Sequence, residues 1–163
     1  MPSYVPTIRA ALHDAVETKQ TALEYIINNF VLQEAARKKN SLDELTNPHV
    51  TIIGASFDEE LIARPATGEA PARRRDVPIY VFIEQRLSDP ATPGITNDLT
   101  IIDPLLVLLE QLMTTAAALA IAGFTWTGNR QMKDSNGLPY DFHKLDEQDL
   151  FEASFTANYT QMS

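Results

Sequence analysis

The sequence predicts an α+β domain, with two helices packed on one face of a mainly antiparallel sheet of three to four strands. Three observations carry that expectation. Residues 8–31 hold apolar side chains at three- and four-residue spacing, and a second such stripe runs from about residue 100 to 120. Residues 76–87 and 150–160 alternate with the two-residue period of strands. Strands separated by a long helical stretch and turn-rich segments, with no repeat and no dividing linker, give one domain over residues 1–163.

Composition agrees. The chain has 163 residues and 18.1 kDa, with 44% hydrophobic and 21% charged residues, enough to bury roughly 70% of its unfolded surface without a metal or disulfide staple. Cys is absent and only three His occur, at 13, 49 and 143, which excludes a disulfide scaffold, a thiol nucleophile and a zinc triad. The start, MPSYVPTIRAALHDAV, lacks the basic end and apolar run of a signal peptide. Leu105 to Trp126 is broken by Glu110, Gln111 and threonines and does not read as a membrane span.

Helix one places Ile8, Leu12, Ala15, Val16, Leu23, Ile26, Ile27 and Phe30 on one side and His13, Asp14, Glu17, Lys19, Gln20 and Glu24 on the other. Pro6 suits its first turn, and Arg37–Lys38–Lys39 suits the negative end of its dipole. Ser41 and Glu44 have capping-box spacing, but Pro48 follows so soon that the segment 41–47 reads as a short turn. Val50–Phe57 is a strand by β-branched content, with Gly54 marking a bulge or a close approach, and Glu60–Arg64 continues it after a break. RPATGEAPARRR, residues 64–75, reads as a flexible loop.

The strand at 76–87 turns Val77, Ile79, Val81, Ile83 and Leu87 one way and Tyr80, Phe82, Glu84 and Arg86 the other. Both faces are apolar at its centre. One is expected under helices and the other under a neighbouring sheet or subunit. SDPATPGITND is a loop. Helix two starts near Thr100 or at Asp103–Pro104 and runs to about Ala120, with Gly123 ending it. Its alanines past 115 imply a close approach to another backbone. Phe124–Thr127 is a short edge strand, residues 128–147 form a second long flexible loop, and LFEASFTANYT closes the chain as a strand paired within the sheet.

The chemistry of catalysis finds little purchase. The six glycines, at 54, 68, 94, 123, 128 and 137, form no phosphate-binding cradle, and neither a G-x-S-x-G elbow nor H-E-x-x-H is present. Asp58–Glu59–Glu60 and Asp146–Glu147–Asp149 lack calcium-loop spacing and read as solvated turns, so no metal or cofactor is expected. Glu84 is the most interior carboxylate, with Arg86 close enough to neutralise it. His143 lacks an identified nucleophile to activate. His13 and His49 read as surface histidines.

Charge is unevenly spread. The formal total is -9, and residues 76–163 hold 4 basic against 12 acidic groups, while residues 1–75 hold 9 against 10. Such a chain does not grip nucleic acid by neutralising phosphate. Arg73–Arg74–Arg75, just before the central strand, is the basic cluster of note, with solubility and partner contact as competing roles. Opposite-sign patches on one subunit favour head-to-tail contacts.

In this ordering the chain resembles the small tail terminator and head–tail joining (neck) proteins of long-tailed bacteriophages. The resemblance rests on the amphipathic helix at 8–31, the strand at 50–57 and the arginine-bearing loop at 64–75. It continues through Asp76, Ile79, Val81, Ile83, Arg86 and Leu87 of the next strand and Ile102, Leu105, Leu108 and Leu112 of helix two. It ends on the closing Phe155-Thr156-Ala157-Asn158-Tyr159. The insertion at 128–147 and the alanine-rich end of helix two go beyond the pattern.

The resemblance implies a structural virion protein, assembled in the host cytoplasm and located in the tail or neck. It implies a ring, commonly of six, that caps the tail tube and joins it to the head connector. DNA would pass through the lumen without specific binding. Arg73, Arg74, Arg75, Tyr80, Phe82, Glu84 and Arg86 are then candidate subunit or partner contacts. Two other readings stand beside it. One is a non-enzymatic protein-binding adaptor acting as monomer or dimer, with a partner strand along a sheet edge. The other is a small hydrolase using carboxylates such as Glu84, or His143.

Overall fold

A computed structural model describes residues 4–23, 30–36, 45–54, 56–63, 72–87 and 98–162. In chain order the elements are α1 (Tyr4–Leu23), β1 (Val31–Ala35), β2 (His49–Ile53), β3 (Asp58–Ala63), β4 (Ala72–Arg86), α2 (Asp98–Ala118), β5 (Thr125–Gln131), α3 (Phe142–Gln148) and β6 (Leu150–Met162). The fold remains α+β, but among the described residues three helices and a six-stranded mixed sheet replace the two helices and three or four strands that the pattern predicts.

β4 organises the sheet because it is long enough to hold several partners. The order is β1-β2-β4-β6-β5, with β3 also on β4, and every pairing is antiparallel except β1 with β2. β2 pairs with Tyr80–Glu84 and β3 with Ala72–Asp76, so the two act as one strand interrupted around Gly54. Close approach explains the glycine. A Cβ there would lie 2.6 Å from Ile79 Cδ1 and 3.2 Å from Val5 Cγ1, and the Gly54 carbonyl accepts from Arg9 Nη1 at 2.7 Å.

Both long helices lie on one face of the sheet. From α1, Val5, Ile8, Leu12 and Val16 are buried at helical spacing; from α2, Ile102, Leu105, Leu108, Leu109, Leu112 and Ala116 are buried. They meet Val50 and Ile52, then Val77, Ile79, Val81 and Ile83, then Phe151, Ala153, Phe155, Ala157 and Tyr159. Burial of each large apolar side chain contributes about 1.5–3 kcal/mol, so this layer holds the chain together. Ile101–Ala118 is long and apolar enough to cross a membrane by length and composition, contrary to the sequence expectation, yet one stripe of it packs against the sheet as a core helix does. Tyr159 Oη donates to the Ala116 carbonyl at 2.8 Å and ties the end of α2 to β6.

Several expected boundaries move. Residues 31–35 belong to β1, not to helix one: Val31 N–H bonds to Pro48 O at 2.8 Å and the strand runs in register with β2, so pairing outweighs the helix-compatible composition of VLQEA. Helix two begins upstream of both proposed starts, carries Pro104 inside it, and stops before the exposed Ala120. β5 extends through Gly128, Asn129 and Arg130, with a register shift between Trp126 and Gly128. The remaining stretch of the expected second loop contains α3, capped by the Asp141 side chain on Lys144 N–H and closed by Asp149 at φ 50. The Ser41–Glu44 spacing, Arg37–Lys39, residues 64–71 of the first loop and the loop at 88–97 lie outside the described residues.

Candidate assembly surface

Alternation along β4 turns Arg74, Asp76, Tyr80, Phe82, Glu84 and Arg86 away from the helices. This outer face is graded. Tyr80 is 40% exposed and Phe82 half-buried, whereas Glu84 is buried. Glu84 sits in register between His49 of β2 and Glu152 of β6, and Lys144 Nζ donates to Glu152 Oε2 at 2.6 Å. His49 is buried, not a surface histidine as its sequence context suggests, and its Nδ1 lies 2.9 Å from Asn47 O.

The three arginines stand in β4, flanked by β3 and β6, and not in a loop. Pairing gives them in-chain partners. Arg73 Nη1 and Arg75 Nε donate to the two oxygens of Glu59 at 2.8 and 2.7 Å. Arg75 also donates to Tyr4 Oη and Gln161 Oε1, both at 3.0 Å, and its guanidinium lies 4.9 Å from the Tyr4 ring centroid. The Arg75 hydrogen bond is the main reason the Glu59 carboxyl lies below its ordinary pKa, and Glu59 in turn raises Arg75. On the outer face Arg74 Nε donates to Asp76, 3.1 Å from Oδ1 and 3.0 Å from Oδ2. Thr160 Oγ1 donates to Asp76 Oδ1 at 2.6 Å, the leading cause of its lowered pKa, followed by Arg74.

The triplet therefore divides. Arg75 is a clamp between β3, β6 and the start of α1, with a side chain only 15% exposed. Arg73 and Arg74 keep 46% and 45% of their side chains in solvent, and exposed pairs of this kind contribute only about 0–1 kcal/mol. Leu61 and Met162, both exposed, border a shallow depression with Arg74.

At the other end of the outer face, the chain leaving β5 folds over β4 and β6. It forms a depression of about 260 Å³ whose lining includes Phe82, Met132, Tyr140, Asp134, Asp141 and Glu152. Asp134 builds this corner by accepting from the N–H groups of Asn136, Leu138 and Phe142. Burial pushes its pKa up, but those donors outweigh that effect and hold it below the ordinary value. Residues 132–152 contain six carboxylates against two lysines.

The remaining candidates are scattered. His143 is exposed on α3, 3.1 Å from Glu147 one turn on. On α1, His13, Asp14 and Glu17 place their ligand atoms within 4.8 Å of one another and could offer them to a cation, though exposed carboxylates often gather so without one. Sequence reasoning missed the corner at 132–141 because its turn is built by side-chain-to-backbone bonds from Asp134 and by pairing with β6, neither of which has a periodic signature.

No family model matches the chain, and no curated protein matches it by sequence. Among solved structures, it is similar to one described as "Cryo-EM Structure of an Extracellular Contractile Injection System, PVC sheath/tube terminator in extended state", at 12% identity and a TM-score of 0.36. That likeness covers 91% of this chain, which spans 56% of the length of the other.

Proposed function

We propose that this chain is a non-enzymatic structural component of a phage tail or neck. In this reading copies assemble into a ring, of six in the simplest case, that caps the tail tube and offers a docking surface to the head connector. The observation that carries the reading is the asymmetry of the central sheet. One face is buried under α1 and α2, while Tyr80 stands 40% exposed beside Phe82 on the other. An aromatic strand face of that kind is a natural contact surface. The hydrophobic patterns in which the sequence resembles tail terminator and neck proteins supply the kind of assembly. A net charge of -9 per copy suits a lumen through which DNA passes without being held, because phosphate is repelled.

Negative-stain imaging of the purified protein, alone and mixed with tail tubes, tests this directly. Open-centred particles that seat on tube ends are expected. Single or paired chains that neither close nor bind tube ends would contradict the reading and favour the adaptor alternative.

A further inference from the structure

We infer that Asn136–Gly137 is a site of spontaneous deamidation, in which the Gly137 backbone nitrogen attacks the Asn136 side chain and the Asp134 turn holds the reaction back. The inference concerns the corner at 132–141 and does not depend on assembly.

The Asn-Gly pair occurs once in the chain. Both residues are exposed, and the Asn136 carboxamide makes no hydrogen bond among the described residues. Glycine leaves the nucleophile unshielded, since nothing lies within 4 Å of where a Gly137 Cβ would stand. In the reaction the Gly137 nitrogen gives up its proton and bonds to Asn136 Cγ. The carboxamide nitrogen leaves with a proton as ammonia. Water then opens the cyclic succinimide at either carbonyl. One opening gives aspartate; the other gives isoaspartate, with the backbone routed through the former side chain. The sum is a water consumed and an ammonia released, with no oxidant or reductant.

The fold opposes this step at the nucleophile. Gly137 N–H donates to Asp134 O at 3.0 Å, and Asp134 N–H donates to Leu138 O at 3.0 Å. The Asp134 carboxylate adds a second tie, because its Oδ1 accepts from Asn136 N–H and Leu138 N–H, both at 2.9 Å. A nitrogen whose proton is held in this way, with Gly137 fixed at φ 77, has to leave the turn before it can swing onto Cγ. Reaction therefore proceeds from opened turns, and its rate reports how often they open. The product does not refit. Its new carboxylate joins Asp134, Asp141 and Asp146 around one depression, where like charges repel. Isoaspartate also lengthens the backbone between Asp134 and Leu138, so Oδ1 no longer meets both N–H groups.

Trypsin cleaves after Lys133 and Lys144, which isolates Asn136 as the only asparagine of residues 134–144. Purified protein is aged in mildly alkaline buffer, and that peptide is followed by mass spectrometry for a gain of about 1 Da. The same chain unfolded in guanidinium chloride should convert fastest. Folded wild type should be at least about tenfold slower, and folded Asp134→Ala at least about threefold faster than wild type. Asn136→Gln should show no conversion. If circular dichroism shows Asp134→Ala to be unfolded, Asp134→Ser takes its place, with a rate between wild type and the unfolded chain, because its hydroxyl accepts more weakly. The site is wrong if the unfolded chain leaves Asn136 unchanged. The turn does not guard it if folded wild type converts as fast as the unfolded chain, or if the folded Asp134 variant keeps the wild-type rate.

Discussion

The two faces of β4 use one strand for two purposes. On the inner face Val77, Ile79, Val81 and Ile83 are at most 1% exposed and lie within the core shared with α1, α2 and β6. On the outer face exposure changes along the strand: Arg74 and Tyr80 reach solvent, while Glu84 is enclosed. A strand buried on one side alone needs polar residues on the other, yet Tyr80 and Phe82 are aromatic. The comparison teaches that folding accounts for the inner residues, covers Phe82 in part with the chain leaving β5, and leaves Tyr80 exposed.

Substitutions on the two faces break or sharpen this contrast. Val81→Asp should have the largest effect, because an unpaired carboxylate in that core is strongly destabilising. Circular dichroism should show an unfolded chain. Gly54→Val comes next. Its Cβ meets Ile79 at 2.6 Å and the branch adds volume under α1, so a loss of about 1–3 kcal/mol is expected in urea unfolding. Tyr159→Phe removes the hydroxyl that holds the end of α2 to β6 and should cost about 1 kcal/mol by the same measurement. If Tyr159→Phe is neutral, that bond does not anchor the helix.

The smallest effect concerns the arginine end. Glu59 and Asp76 have lowered carboxyl pKa values in the fold, held down chiefly by Arg75 and Thr160 respectively. Their stabilisation is therefore present above the ordinary carboxylate range and is lost as pH falls through the lowered values. Denaturation midpoints followed from pH 7 to pH 3 should decline on the acid side, and Glu59→Gln should lessen the decline. Parallel profiles for the two proteins would show that Glu59 does not tie β3 to β4 electrostatically.

Legibility in the sequence followed periodicity. β6 was plain because five inward residues, Phe151 to Tyr159, alternate without interruption, and they are buried as that alternation demands. The apolar stripes of α1 and α2 were equally clear. β1 was hidden because Phe30, Val31 and Leu32 prolong the helical spacing of the preceding residues, and only the parallel partner β2 reveals a strand. The sequence pattern ends β5 at Thr127 because Gly128 and Asn129 are poor strand formers; β6 imposes the pairing, with an irregularity there. The candidate surface was half legible. Tyr80 and Phe82 could be placed by alternation, but the fate of the arginines could not, since Glu59 lies 14 and 16 residues from Arg73 and Arg75 and meets them only across the β3–β4 pairing.

The most direct test of the two-face account is the native mass of Tyr80→Asp beside the wild type, measured by light scattering over a range of concentration with far-UV circular dichroism on the same samples. The account predicts a folded variant near the 18.1 kDa of one chain, under conditions where the wild type reaches about 109 kDa, the mass of six copies. A folded Tyr80→Asp variant with the same assembled mass as the wild type would contradict it.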